Sequence, residues 1–198
     1  MTIFFLVRHG AHDLLDRVLC GRMPGVSLNP IGREQAERAG RRLSQEHIDL
    51  VQSSPMQRAC ETAAPIAQHT GATLELAPAL NEIELGKWTG RSFEEIKADP
   101  AWRQWNDTRH VARAPGGESM LEAQQRVIGH LDQVRTSYPD ARVVLVSHSD
   151  MLRAIILFYL GMSLDEFGRI EISPGSISRL VVEGWGARIL SLNEVPAP

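Results

Sequence analysis

The sequence predicts an α/β fold: a three-layer α/β/α sandwich with a mostly parallel central sheet, helices on both faces and a small insertion capping the edge where a site would lie. Three observations carry that expectation. The runs Ile3-Phe4-Phe5-Leu6-Val7 and Val143-Val144-Leu145-Val146 are too brief for helices and apolar at every position, as strands buried on both faces are. Segments with helical spacing separate such runs, and strands alternating with helices make parallel sheets covered on both sides. Finally, 198 residues with 43% hydrophobic and 23% charged content suit one domain that buries about 70% of its unfolded surface. Residues 1–198 therefore read as a single domain.

In order along the chain, residues 3–7 form the first strand. Asn29-Pro30 opens a helix, with Asn29 as N-cap and Pro30 at the first helical position. Ala36, Ala39, Gly40 and Leu43 give it a thin stripe of mostly small residues. Residues 48–52 make a second strand. Ser54-Pro55 repeats the cap-then-proline signal for a helix that Gly71 ends, and Pro65 inside it predicts a kink or a loosened turn. Residues 73–77 make a third strand. Between 79 and 117 the texture changes, with Trp88, Trp102 and Trp105 among glycines, prolines and charges. Ser92 and Glu95 have capping-box spacing, so a short helix starts there. A stretch of about 40 residues could hardly hold its own core, so 79–117 reads as a cap-like insertion. Its tryptophans serve packing or substrate contact. A longer helix spans 119–137, with Leu121, Val127, Leu131 and Val134 on one side. Residues 142–147 carry the strongest buried-strand signal, and 151–160 are helical and apolar nearly all round, hence buried. Residues 178–182 and 188–192 predict a terminal hairpin.

Composition excludes several classes. A formal net charge of -3 predicts no general affinity for nucleic acid or for anionic membrane. The apolar N-terminus stops at Arg8 without the basic flank and cleavage site of a signal peptide, and no run approaches the roughly 20 apolar residues that span a bilayer. Cys20 and Cys60 are too few for a disulfide framework or a four-cysteine metal site, and read as ordinary thiols in a reducing cytoplasm.

Chemistry has to come from local arginines and histidines. Two predicted strands end in a histidine, Val7-Arg8-His9-Gly10 and Val146-Ser147-His148-Ser149, and the junction Ser54-Pro55-Met56-Gln57-Arg58 puts an arginine in a first helical turn. In an open α/β sheet, ligands sit at the carboxyl ends of strands. If the three junctions share that edge, Arg8, His9, Arg58 and His148 converge on a pocket suited to a phosphoryl dianion. Arginine forks match phosphate oxygens in pairs, and helix N-termini add backbone donors. His12 could join His9 and His148 in a metal site, but no carboxylate–cysteine set stands near to support one. Neither Ser147 nor Ser149 lies in a G-x-S-x-G elbow, which argues against a serine hydrolase.

These motifs resemble those of the histidine phosphatase superfamily, the group that includes cofactor-dependent phosphoglycerate mutases. Leu6-Val7-Arg8-His9-Gly10 is similar to the opening signature, and Ser53-Ser54-Pro55-Met56-Gln57-Arg58-Ala59 with Glu61-Thr62-Ala63 to the second block. Leu80-Asn81-Glu82-Ile83-Glu84-Leu85-Gly86-Lys87-Trp88-Thr89-Gly90 resembles the block carrying the acid, Gly116-Gly117-Glu118-Ser119 the start of the late helix, and Val146-Ser147-His148 the second histidine block. The resemblance covers most of the chain. It implies His9 as nucleophile, forming a phosphohistidine, and Glu82 as general acid and then base, with Glu84 as its competitor. It implies Arg8, Arg58 and His148 as phosphate ligands. Ser149 stands where the family commonly has glycine and can still donate its backbone N–H. Glu118 reads as a helix-start carboxylate with a structural role.

The chemistry agrees. A neutral imidazole is a competent nucleophile near pH 7, positioning and preplaced charge do most of the work of phosphoryl transfer, and an alkoxide leaving group needs a proton. No metal and no cofactor are expected.

Departures fall on the rim. Ala11-His12-Asp13-Leu14-Leu15 replaces the acidic and hydroxyl residues, and the asparagine, that many members carry after His-Gly. Asp150 puts a negative charge beside the pocket, where it could select against highly anionic substrates or cap the next helix. The family's mutases use a larger insertion and a closing tail, for which 198 residues leave little room, so a phosphatase is expected over a mutase. A phosphate-binding module without turnover is the reading from another class. The expected partner is a small phosphomonoester, and a homodimer is compatible with the sequence.

Overall fold

Side chains alternate across a strand, and in this protein the alternation sorts them into two cores. β1 (Thr2–Arg8) sends Phe4 and Leu6 to one face and Phe5 and Val7 to the other, and β4 (Arg142–Ser147) divides Val143 and Leu145 from Val144 and Val146 in the same way. The computed structural model describes residues 1–197. With β2 (Leu50–Ser53), β3 (Thr73–Leu76), β5 (Ile177–Glu183) and β6 (Gly186–Glu194), the strands form one sheet in the order β3-β2-β4-β1-β5-β6. β3, β2, β4 and β1 run parallel, while β5 is antiparallel to β1 and to β6. The parallel core, the helices on both faces and the terminal hairpin are as the sequence predicts.

The smaller core lies under α1 (Pro30–Leu43) and α2 (Gln57–Thr70). Asn29 caps α1 as expected, its side chain accepting from Gly32 N–H at 2.9 Å. The small-residue stripe lets α1 approach α2 closely: a Cβ on Gly40 would lie 2.9 Å from the Pro65 carbonyl oxygen. α2 differs from expectation at its start. Ser54 is not its cap; the helix begins at Gln57 with Met56 as an N-cap lacking a side-chain bond, and the Ser54 hydroxyl accepts from Met56 N–H at 3.3 Å while also bonding to His148 and Asn81 at the sheet edge. Pro65 lies within α2, which runs as one helix and is ended by Gly71 in the left-handed conformation.

The larger core lies under α5 (Met120–Ser137) and α6 (Ser149–Tyr159). Ser119 and Glu122 close a capping box at the start of α5. Leu121 is exposed, contrary to the predicted stripe, because Met120 and Ala123 face inward with Val127, Leu131 and Val134. Between β3 and α5 lie α3 (Phe93–Ile96), α4 (Pro100–Asp107) and two short 3₁₀ turns, Pro78–Leu80 and Gly86–Trp88. α4 has a sequence signal of its own, since Asp99-Pro100 has the cap-and-proline form of Asn29-Pro30. Trp88 and Trp105 are buried in the larger core; Trp88 meets Trp102 and Trp105 edge-on at 5.3 and 5.7 Å. The stretch therefore packs on the core of the sheet. Among the described residues, no helix is long and apolar enough to cross a membrane.

Candidate active site

Strand register assembles the site. Arg8 pairs with Ser147 across β1 and β4, and Ser53 with Val146 across β2 and β4, so three strand ends stop at one level. His9 and His148, each one residue beyond its strand, come within 5.1 Å between ring centroids. Arg58, in the first turn of α2, enters between them and is buried. Arg8, His9, Arg58, Glu82 and Ser149 all line one cavity of about 420 Å³. His148 is fully buried behind Arg58, with Nδ1 4.0 Å from the Glu82 carboxylate.

The partners of the two imidazoles dictate their tautomers. A guanidinium only donates and a carbonyl only accepts. His9 Nδ1–H donates to its neighbour's Gly10 carbonyl at 2.8 Å, while Nε2 accepts from Arg58 Nε at 3.3 Å and so carries the lone pair. His148 Nδ1 accepts from Arg58 Nη2 at 3.1 Å, so its Nε2–H donates to Ser54 Oγ at 2.9 Å. Ser54 in turn donates to Asn81 Oδ1 at 3.0 Å, which ties the second histidine to the segment that carries Glu82. The same hydroxyl also accepts from Met56 N–H at 3.3 Å, just before α2.

Burial drives both imidazoles well below the usual histidine range, and the guanidiniums of Arg58 and Arg8 add to the effect. Both rings are therefore neutral near pH 7. Burial also lowers Arg8 and Arg58, with the Glu82 carboxyl working in the opposite direction. Arg8 donates from Nη1 to the Ile172 carbonyl at 2.6 Å, and its buried Nε has no hydrogen-bond partner among the described residues. Glu82 moves the other way: burial and then the Asp150 carboxylate push its carboxyl up to about 8, against the pull of Arg58, the Ile83 N–H and Arg8. A carboxyl kept protonated thus stands across the cavity from an imidazole kept neutral.

A clamp holds the Glu82 segment. Glu118 accepts from Arg126 Nε at 3.2 Å and Nη2 at 3.0 Å, from Arg22 Nη2 at 2.9 Å and from Glu84 N–H at 3.0 Å. Arg22 Nε then donates to the Glu82 carbonyl at 2.8 Å, and Arg126 Nη1 to the carbonyls of Ala79 and Asn81 at 2.5 and 3.1 Å. Gly117 makes the approach possible, because a Cβ there would lie 2.0 Å from the Glu84 carbonyl oxygen. Burial raises the Glu118 carboxyl, but its bonds to Arg126 and Glu84 N–H, with the charges of Arg126 and Arg22, bring it below the usual range. Glu118 does more than start a helix. Arg22 and Arg126 escape sequence reasoning, for their only signals are a turn-like loop and an unremarkable helical position.

The outer cavity is lined from elsewhere. Trp102, Asn106 and Arg109 come from α4 and its end, Asp150 and Arg153 from α6, and Phe167 from the 3₁₀ turn Leu164–Arg169. The Arg109 guanidinium lies 3.7 Å over the Phe167 ring and 4.0 Å from Asp150. Asp150 thus belongs to the cavity, and Trp102 faces it while Trp88 and Trp105 pack. No sequence motif marks Arg109. Among the described residues, no group of three or more His, Cys, Asp or Glu side chains is placed to hold a metal ion.

The chain is similar to known proteins along nearly its whole length. A profile of the histidine phosphatase superfamily (branch 1) matches residues 4–195. Phosphoserine phosphatase 1 of Hydrogenobacter thermophilus is 32% identical over 198 residues, covering 98% of this chain and 92% of that protein. A 2,3-bisphosphoglycerate-dependent phosphoglycerate mutase of Cytophaga hutchinsonii is 30% identical over 186 residues, 89% of this chain and 85% of its own length. A solved mycobacterial glucosyl-3-phosphoglycerate phosphatase, in complex with VO3, superposes with a TM-score of 0.87 at 26% identity, covering 97% of this chain and 98% of the other.

Proposed function

The chain belongs to the histidine phosphatase superfamily (branch 1) and is an enzyme of its phosphatase and phosphoglycerate mutase-like kind, and on that premise we propose that it hydrolyses phosphomonoesters of small metabolites through a phosphohistidine at His9. The supporting observation is the pairing of a neutral His9, its Nε2 lone pair free of a proton, with a Glu82 carboxyl raised to about 8 in the same cavity.

His9 Nε2 attacks phosphorus while the bond to the leaving oxygen breaks and Glu82 gives that oxygen its proton. Water then attacks the phosphohistidine, Glu82 takes the water's proton, and phosphate leaves with His9 neutral again. Arg8, Arg58 and the Ser149 backbone N–H hold the equatorial oxygens. The incoming dianion draws the Arg58 guanidinium, and His148 Nδ1, once uncovered, joins them; the dianion's charge favours its protonation. The clamp on Glu118 positions the acid.

Residues 1–198 are taken as one catalytic domain with 79–117 as its cap, working without metal or cofactor. The free Cys20 and Cys60 support a cytoplasmic setting. A homodimer is the assembly to test; light scattering at the 22.0 kDa of one chain would set it aside.

Purified protein should hydrolyse members of a phosphometabolite panel, phosphoserine and phosphoglycerates included, with EDTA present, and His9→Ala should abolish this. Full activity in His9→Ala would end the reading, and acid-labile, base-stable phosphate on the wild type would place the intermediate on a histidine. Isomerised rather than hydrolysed phosphoglycerate would mark a mutase.

A further inference from the structure

His12 stands out because nothing in the fold uses it. It follows β1 in the turn after Gly10, is only 6% exposed, and lines the cavity beside His9, with ring centroids 5.4 Å apart and planes tilted by 32°. Two imidazoles, those of His148 and His12, thus lie against His9. The roles differ: both ring nitrogens of His148 are hydrogen-bonded, whereas the buried Nδ1 of His12 has no partner among the described residues. A buried polar group without a partner destabilises a fold, and an apolar ring of the same shape would pack there at no such disadvantage. The ring itself lines the cavity, so a turn about its Cβ–Cγ bond would bring a ring nitrogen to a ligand seated there.

We propose that His12 is a further phosphate-binding residue, its imidazole donating a hydrogen bond to the phosphoryl group held at His9. The proposal rests on the reading of this cavity as a phosphomonoester site. Its surroundings suit a neutral donor. Burial, with the charges of Arg58 and Arg8, carries the ring down to about 4, and Asp13 and Asp16 only partly oppose this. Asp13 is itself held by Asn29 Nδ2 at 3.2 Å, and Asp16 lines the outer cavity. Near pH 7 the ring therefore keeps one N–H for an anion and adds no further charge beside two guanidiniums. Its position is also where this chain departs from the usual opening motif, so the contact would be peculiar to chains that carry this histidine.

The test compares His12→Phe and His12→Leu, which remove the donor, with His12→Asn, which keeps one. Inorganic phosphate and orthovanadate serve as probes because they have no leaving group. Loss of one hydrogen bond to an anion should weaken vanadate and phosphate binding by about 10- to 100-fold in the Phe and Leu variants, with kcat/KM falling in parallel. His12→Asn should stay within about fivefold of wild type. The ligand-free melting temperature of His12→Phe should equal or exceed that of wild type, where a merely structural histidine would make it fall. Vanadate binding within about twofold of wild type in both apolar variants would overturn the proposal. So would a change confined to KM for the ester with phosphate inhibition unchanged, which would put His12 on the leaving group. A wild type that binds vanadate but hydrolyses no phosphomonoester would instead end the hydrolase reading and leave the His12 comparison standing.

Discussion

The sheet edge and the outer rim face each other across one cavity, yet they are built differently. At the edge, β-ladder register places Arg8, His9 and His148, and one helix start places Arg58; Arg8 is half-buried and the other three buried, and each is hydrogen-bonded to backbone or to another member. At the rim, Trp102, Asn106, Arg109 and Phe167 come from short helical pieces held by packing, such as the Arg109 guanidinium over Phe167. Register tolerates no slip, since moving by one residue sends every side chain to the other face. Packing of short helices tolerates many solutions. The edge should therefore set the reaction and the rim the choice of substrate.

Glu82→Gln breaks that division most sharply. Proton donation of this kind is worth about 10²- to 10⁴-fold, so kcat/KM for an alkyl phosphate should drop by that factor while an aryl phosphate with a good leaving group loses far less. The same acid predicts a pH profile. Glu82 is protonated below its pKa of about 8, so kcat/KM for alkyl phosphates should fall as pH rises through that value. The alkaline limb should vanish in Glu82→Gln.

Arg58→Lys keeps the charge and loses the fork, and should lower kcat/KM about 10²- to 10³-fold for every phosphomonoester tried, because the phosphoryl group is common to all. Arg109→Gln should act selectively, changing KM by up to about 10-fold for some esters and leaving others untouched. Equal losses across a panel would place Arg109 with the edge. Glu118→Gln is expected between these, at roughly 10- to 100-fold on alkyl esters and less on aryl ones, because it acts through the placement of Glu82.

The smallest expected effect is on stability. A carboxyl whose folded pKa lies near 8 binds protons more tightly folded than unfolded, so it costs stability increasingly as pH rises from its unfolded value to about 8. Glu82→Gln should relieve this and raise the melting temperature at pH 8 by about 2 to 4 °C, and by less at pH 5. The buried neutral His9 and His148 run the other way, since lowered pKa values mean stability lost as pH falls below about 6.5.

Legibility followed the same boundary. Apolar runs bounded by Asn29-Pro30 and Gly71 announce the strands and helices that build the edge, because period and caps are local. Ser54 misled for a physical reason: a hydroxyl before a proline is an ordinary cap signal, and only the nearness of His148 and Asn81, far along the chain, gives it another partner. Leu121 misled because it is apolar yet lies a residue off the line that Met120, Val127 and Val134 make at seven-residue spacing, and so faces outward. Arg22 and Arg126, which clamp the Glu82 segment, and Arg109, which stacks on Phe167, had no distinguishing local signal, since a surface arginine and a buried partner look alike until distant segments fold against it.

The sequence by itself determined the alternation of strands and helices and the presence of a histidine after two of the strands and an arginine at one helix start, because both depend on neighbours a few residues apart. Tertiary structure alone decided which nitrogen of each imidazole bears the proton, how far Glu82 is raised, and that His12 lies against His9 with a nitrogen unmet. Those properties depend on burial and on charges brought together from distant segments, and no period or cap in the chain encodes them.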